Sequence, residues 1–372
     1  MVVNSMNIDF YMPAKIISGK NCVSSNADSL VRMGKKCFIV TGKLSAVKSG
    51  ALDDVIGVFE KNGIKYEIFN EIEPNPLTST CKKAGDLAHA FGADYILGIG
   101  GGSSLDAAKA VALYSEHQDW NHGDIYNRSI PSQHLPVVLI GTTAGTGSEV
   151  TGVSVLTNTD TGLKKSISGA DCYADISFCD YSYTMSVSRD VRIATMLDAF
   201  SHAVEAYFAP GDNSLVNVFA LEAVRLLAEY LKDDKFDLHI ESDFERIYTA
   251  SLFAGLAINK AGTAFPHTVG YFLTERFNVP HGKACAVFLP AFFNRAKKYC
   301  PEKLGTILGV MNCDYDSMIS FVKKLSSIEV SFSKKDAENV SQRWINGVKN
   351  FDRTPGGFSY KDAEHVLKQL IS

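Results

Sequence analysis

Short apolar runs alternate with amphipathic segments through the first half of the chain. CFIVTG (Cys37 to Gly42) reads as a buried strand that closes in a glycine turn. Ala51 to Asn62 carries apolar residues at helical spacing, and KYEIFN (Lys65 to Asn70) is a second strand, followed by the loop EIEPNPLT. Thr78 to Phe91 predicts a helix, and ADYILGIGGGSS predicts strand, glycine turn and helix start in turn. LPVVLIGTTAGTGSE repeats that logic, with a strand from Pro136 to Gly141 and then a loop of small and hydroxyl residues. Strands separated by helices predict a mostly parallel sheet covered on both faces.

The pattern changes near Ser186. From Arg189 onward the periodicity is helical, as in IATMLDAFSHAVEAYFA, SLVNVFALEAVRLLAEYL and YTASLFAGLAINKAG, and no strand is expected after Asp180. The fold class that follows is an α/β domain over residues 1–185 and an all-α domain over residues 186–372.

Composition narrows the function classes. A chain of 372 residues is long enough for two cores. A net charge of −4 argues against a general nucleic-acid or anionic-membrane binder. No apolar run approaches the roughly 18 residues of a membrane span. The start, MVVNSMNIDFYMPAKIIS, lacks a basic segment followed by an apolar one, so no secretory leader is expected. The 8 cysteines form no CxxC pair and read as free, mostly buried thiols. A cytoplasmic enzyme is the expectation.

Two loops and one set of side chains carry candidate chemistry. GIGGGSSLDAAKA (Gly98 to Ala110) follows a strand and opens a helix, where glycines admit a pyrophosphate and the helix N-terminus supplies N–H groups. It matches neither GxGxxG nor a P-loop, and a plain tight turn is the other reading. GTTAGTGSEVT (Gly141 to Thr151) gathers hydroxyls and open backbone at another strand end, which suits a long polar ligand. Asp198 and His202, four apart on a helix, share a face; alone they read more readily as a surface pair than as ligands. His267 and His281 each follow a proline at a predicted helix start. Together the four make an Asp-His-His-His set suited to Fe2+ or Zn2+.

The motifs PNP (Pro74 to Pro76), GGGSSLDAAKA, TTAGTGSEVT, DAFSHAVEAY, AGTAFPHTVG and NVPHG together resemble the iron-containing (group III) alcohol dehydrogenase family, over nearly the whole chain. The resemblance implies a dinucleotide-binding N-terminal domain, a helical metal-binding domain, and a cleft between them. It implies Asp198, His202, His267 and His281 as metal ligands. It places the cofactor pyrophosphate on Gly101, Gly102 and Ser103, and the cofactor's length along Thr142, Thr143, Thr146 and Thr151. Asn75 and Lys164, or Lys165 if the alignment slips by one, would meet the ribose, and Thr184 would face the cofactor. Asp106, one turn into the helix, is expected near the cofactor, or else bonded to local N–H groups. A homodimer is implied as well.

Two departures matter. NAD-preferring members carry an aspartate after the first strand; here the position is Gly42, beside Lys43 and Ser45, which would hold a 2′-phosphate by charge and hydrogen bond. NADP(H) is therefore the expected cofactor, with NAD(H) also used if glycine merely makes the turn. Tyr271 stands where many members have a further histidine, which removes one candidate for a proton relay. Val153 and Ile258 fall where members line the substrate pocket, with Phe253 nearby on the helix of Ile258. All are apolar, so a short primary alcohol and its aldehyde, such as butanol and butanal, are expected. Hydride transfer would run between substrate carbon and nicotinamide, with the metal as Lewis acid. The rivals are a polyol (glycerol- or propanediol-type) dehydrogenase, a metal-dependent synthase of the same fold, and a non-catalytic dinucleotide sensor.

Overall fold

The structure is a computed structural model that describes residues 8–211, 214–233, 238 and 240–371. Its contacts divide the chain into two units. One comprises Met12–Ser188 and His239–Tyr248; the other comprises Met1–Tyr11, Arg189–Leu238 and Thr249–Ser372, as far as these are described.

In the first unit, six strands form one parallel sheet: β1 (Lys15–Ser18), β2 (Lys36–Thr41), β3 (Lys65–Phe69), β4 (Tyr95–Gly100), β5 (Val137–Gly141) and β8 (Ile176–Cys179), in the order β1-β8-β5-β4-β2-β3. β6 (Val153–Thr157) and β7 (Lys164–Ser168) make a separate antiparallel pair. The predicted strands at 37–42, 65–70 and 136–141 correspond to β2, β3 and β5. β1, β8 and the β6–β7 pair were not read from the sequence. They are short, and β7 (KKSIS) carries two lysines and one buried apolar residue.

The two-residue repeat of a strand sends neighbouring side chains to opposite faces. Phe38, Val40, Ile96, Val137 and Leu139 join one buried cluster, while Cys37, Ile39, Leu97, Ile99, Val138 and Ile140 join the other. Helix α1 (Ala51–Asn62) covers the second face through Leu52, Val55 and Phe59. Helices α2 (Thr78–Phe91) and α3 (Gly102–Glu116) cover the first through Cys81, Ala84, Leu105 and Val111. Burial on both faces explains why β4 and β5 read as unbroken apolar runs.

The strand order reverses between β2 and β4, which pair Thr41 with Ile99. Because every strand of the sheet points the same way, the turns after β2 and β4 lie side by side at the carboxyl edge, where such sheets bind ligands.

The second unit is helical. Its site is built from α4 (Arg189–Phe208), α7 (Phe265–Phe277) and α8 (His281–Ala286), with α5 (Ser214–Asp233) and α6 (Glu241–Ala261) between them in sequence. Residues Glu241–Tyr248 of α6 are counted with the sheet unit. Among the described residues no strand follows Cys179, and no helix is long and apolar enough to cross a membrane.

Candidate metal and dinucleotide sites

Both Pro-His pairs begin helices. Pro266 lies in the first turn of α7, and Pro280 caps α8, whose first residue is His281. Proline suits these positions because its missing N–H would be unpaired there in any case. Two glycines then let the helices converge. A Cβ on Gly282 would sit 1.8 Å from the Ala194 carbonyl oxygen of α4, and one on Gly270 would sit 2.7 Å from the Ala284 carbonyl oxygen of α8. Only glycine permits backbones so close.

The convergence gathers the predicted donors. Asp198 Oδ1 lies 3.4 Å from His267 Nε2, and 3.8 Å from the Nε2 atoms of both His202 and His281. The rings of His202 and His267 stack, with centroids 4.5 Å apart. Burial disfavours the Asp198 carboxylate, but His202, His281 and His267 around it hold its carboxyl well below the usual range. Asp198 Oδ1 and His267 Nε2 are buried without a hydrogen-bond partner. Leaving such groups unsatisfied costs about 1–3 kcal/mol each. A cation between them satisfies both, so carboxylate, imidazoles and burial fit a divalent metal ion.

Two further residues belong to this cage and were not read from the sequence. Glu205 is fully buried, accepts the Ala264 N–H at 2.6 Å, and lies 2.6 Å from His267 Nδ1. With the Nδ1 proton held by Glu205, the lone pair of His267 is on Nε2, facing Asp198. A glutamate inside the apolar run AFSHAVEAYF was the available signal. Cys285 is the other: its donor atom and those of Asp198, His267 and His281 all lie within 4.8 Å of one another. Tyr271 stacks on His281, ring centroids 5.6 Å apart.

In the sheet unit, α3 begins at Gly102, straight after the turn of β4. A Cβ on Gly102 would meet Thr146 Cγ2 at 2.5 Å, and one on Gly101 would meet Thr143 Oγ1 at 3.1 Å, so the glycine turn and the threonine loop are in contact. Thr142 donates its N–H to the Gly100 carbonyl at 2.8 Å, and its buried hydroxyl has no partner. Asn75, left-handed at φ 59°, donates its N–H to Ser103 Oγ and accepts from Lys164 Nζ at 2.8 Å. Asn75, Ser103 and Lys164 therefore form one cluster, whereas Lys165 lies over the Tyr126 ring. Gly42 lies beside this turn, with Ser104 Oγ and Ser45 Oγ within 4 Å of where its Cβ would be, and Lys43 is exposed.

Other candidates are engaged elsewhere. Asp106 accepts from Ser148 Oγ at 2.6 Å and from the Val155 N–H at 2.9 Å, the local bonding that was the second reading of this residue. Beside it Lys109, completely buried, donates to Ser148, Thr151 and Val153 carbonyls, which accounts for the Thr151 position. Thr184 donates its hydroxyl to the Tyr181 carbonyl. Val153 is half-buried on β6. Phe253 and Ile258, half-buried on α6, are five positions apart, which turns them about 140° from each other. Phe253 stacks on Phe219.

The comparisons with known proteins agree with this chemistry. Residues 13–181 match the model of the iron-containing alcohol dehydrogenase family, and residues 192–335 match that family's C-terminal domain. Long-chain-alcohol dehydrogenase 1 of Geobacillus thermodenitrificans is 31% identical over 346 residues, covering 91% of this chain and 84% of the relative. The chain belongs to the iron-containing alcohol dehydrogenase family. It is accordingly an oxidoreductase of small-molecule alcohols or aldehydes. Among other family members, the NADPH-dependent butanol dehydrogenase of Clostridium saccharobutylicum is 29% identical, covering 91% of this chain and 89% of the relative. The crystal structure of an iron-containing alcohol dehydrogenase from Thermotoga maritima is similar with a TM-score of 0.90 at 32% identity, covering 98% of this chain and 99% of that one.

Proposed function

We propose that this enzyme interconverts short-chain primary alcohols and aldehydes, butanal among them, with NADPH as preferred hydride donor. Residues 1–185 serve as the dinucleotide-binding domain and 186–372 as the metal-binding domain. The observation that carries the reading is the pair of buried, unpartnered donor atoms, Asp198 Oδ1 and His267 Nε2, in a cage of imidazoles. A divalent ion held by Asp198, His202, His267 and His281 supplies Lewis acidity toward a substrate oxygen; Fe2+ is the expected occupant, and Zn2+ also suits the donors.

The chain's own groups do the rest. Asp198 offsets the cation's charge, and Glu205 holds the His267 ring so that Nε2 faces inward. The first N–H groups of α3 and the glycine turn offer donors to a pyrophosphate. Asn75 orients Lys164, whose ammonium attracts the cofactor. Gly42 presents no carboxylate to repel a 2′-phosphate, and Lys43 with Ser45 stands ready to bind one. Apolar Val153, together with whichever of Phe253 and Ile258 faces the substrate, favours an alkyl chain over a polyol. The similarity to an NADPH-dependent butanol dehydrogenase supports both finer points.

The test is an anaerobic assay of the protein supplied with Fe2+ or Zn2+, with butanal, and with NADPH or NADH in parallel. Metal-dependent turnover with kcat/KM for NADPH at least about tenfold above NADH, about 1.4 kcal/mol, is expected. Equal use of both cofactors removes the Gly42 reading, and turnover of 1,3-propanediol but not butanol favours the polyol alternative.

A further inference from the structure

We propose that the sulfur of Cys285 is a donor to the same ion as Asp198, His267 and His281, so that the cage is a mixed oxygen, nitrogen and sulfur site. This rests on the functional reading above, which takes the cage as a metal site.

The geometry starts from one short helix. Cys285 follows His281 by four residues on α8, so both side chains share a face. Its Sγ lies 3.7 Å from each ring nitrogen of His281, and the residue is completely buried. The donor atoms of Asp198, His267, His281 and Cys285 lie within 4.8 Å of one another, and no other described cysteine joins such a group. With His202 as a fifth donor, 3.8 Å from Asp198 Oδ1, neighbouring donors held at about 2.1–2.3 Å on one ion are roughly 3–4 Å apart. The separations of 3.4, 3.7 and 3.8 Å already lie in that range.

A buried thiol alone would be no more than a small apolar residue. The independent sign is that Asp198 Oδ1 and His267 Nε2, on residues 2% and 3% exposed, have no hydrogen-bond partner and face the same space. On binding, the Cys285 S–H bond breaks, a sulfur–metal bond forms and the proton leaves to buffer; nothing is oxidised or reduced. A thiolate is softer than a carboxylate or imidazole, so it raises the site's preference for Zn2+ over Fe2+.

The test is an anaerobic Co2+ titration of the full-length protein after chelator treatment, on wild type, Cys285→Ser, Cys285→Ala and His267→Ala. Visible Co2+ bands report occupancy of the cage, whichever atoms hold it. A near-ultraviolet sulfur-to-Co2+ charge-transfer band appears only if a thiolate is bonded. The expected result is both bands in wild type, loss of the charge-transfer band alone in both Cys285 variants, and loss of the visible bands in His267→Ala. Visible bands without charge transfer in wild type overturn the proposal and leave the metal site standing. A charge-transfer band that survives in a folded Cys285 variant overturns it too. Absence of any cobalt band in folded wild type sinks the metal reading itself, and the proposal with it.

Discussion

Gly42 occupies the turn after β2 at the point where the strand order reverses, and it has no side chain to offer the adenosine ribose. Gly42→Asp therefore introduces the charge that an NADP(H) 2′-phosphate avoids. The expected outcome is a fall of at least about tenfold in kcat/KM for NADPH, about 1.4 kcal/mol, with NADH kept or improved, read by steady-state kinetics with both cofactors. The new Cβ would lie 3.2 Å from the Ile72 carbonyl oxygen, so the loop must shift by a few tenths of an ångström, and parallel loss with both cofactors would mean that shift dominates. Glu205 acts on the cage through one hydrogen bond to His267 Nδ1. Glu205→Gln keeps the shape but removes the charge that orients His267 and accepts the Ala264 N–H. Metal affinity should fall about 10–100-fold with far-ultraviolet circular dichroism unchanged, measured by Zn2+ competition against a chelator. Unchanged affinity would reduce Glu205 to a link between α4 and the start of α7.

At the scale of elements, the cage depends on how closely α8 lies against α4. Gly282→Ala puts a methyl carbon where the Ala194 carbonyl oxygen is 1.8 Å away, and the helix's own Cα position leaves no rotamer to relieve it. α8 must move, taking His281 with it. The expectation is loss of metal stoichiometry together with about 1–3 kcal/mol of destabilisation, followed by metal analysis and thermal unfolding. Gly305, in the helix Pro301–Met311, is the control: a Cβ there meets nothing within 4 Å. Gly305→Ala should be stabilising by about 0.5–1 kcal/mol, as for an exposed helical glycine, with metal content unchanged. If Gly282→Ala behaved like Gly305→Ala, the close approach would not govern the site. In the sheet unit, Lys109 plays the comparable part from inside, tying α3 to the segment Ser148–Val153 through four hydrogen bonds.

For the whole molecule, an ion that binds only the folded chain stabilises it by an amount that grows with the logarithm of its free concentration above Kd. At a free Zn2+ concentration of about 100 Kd the gain is about 2.7 kcal/mol, so Tm should rise with added metal and fall on chelation, with no such response in His267→Ala. A metal-independent Tm in wild type would contradict a metal site that is assembled only in the folded chain. Much of this protein was legible in its sequence. The buried strands Lys36–Thr41 and Val137–Gly141, the glycine turn into α3 and the Pro-His helix starts are written in contiguous residues, because strand and helix periodicities and proline's geometry are local properties. The four candidate ligands were legible for the same reason, each by its own few neighbours. The four-residue strands β1 and β8 were not, since so few positions show no periodicity, and neither was β7, whose two lysines and single buried residue give no apolar run. Nor were Glu205 and Cys285 legible as part of the cage. Glu205 meets His267 across 62 positions of sequence, and Cys285 reaches the other donors only because Gly282 lets α8 lie against α4. The sequence by itself determined the longer elements, the change from α/β to all-α and the candidate ligands Asp198, His202, His267 and His281. Which of those side chains share one buried space was decided by tertiary packing, because contacts between distant segments depend on close approach of backbones and leave no repeat along the chain.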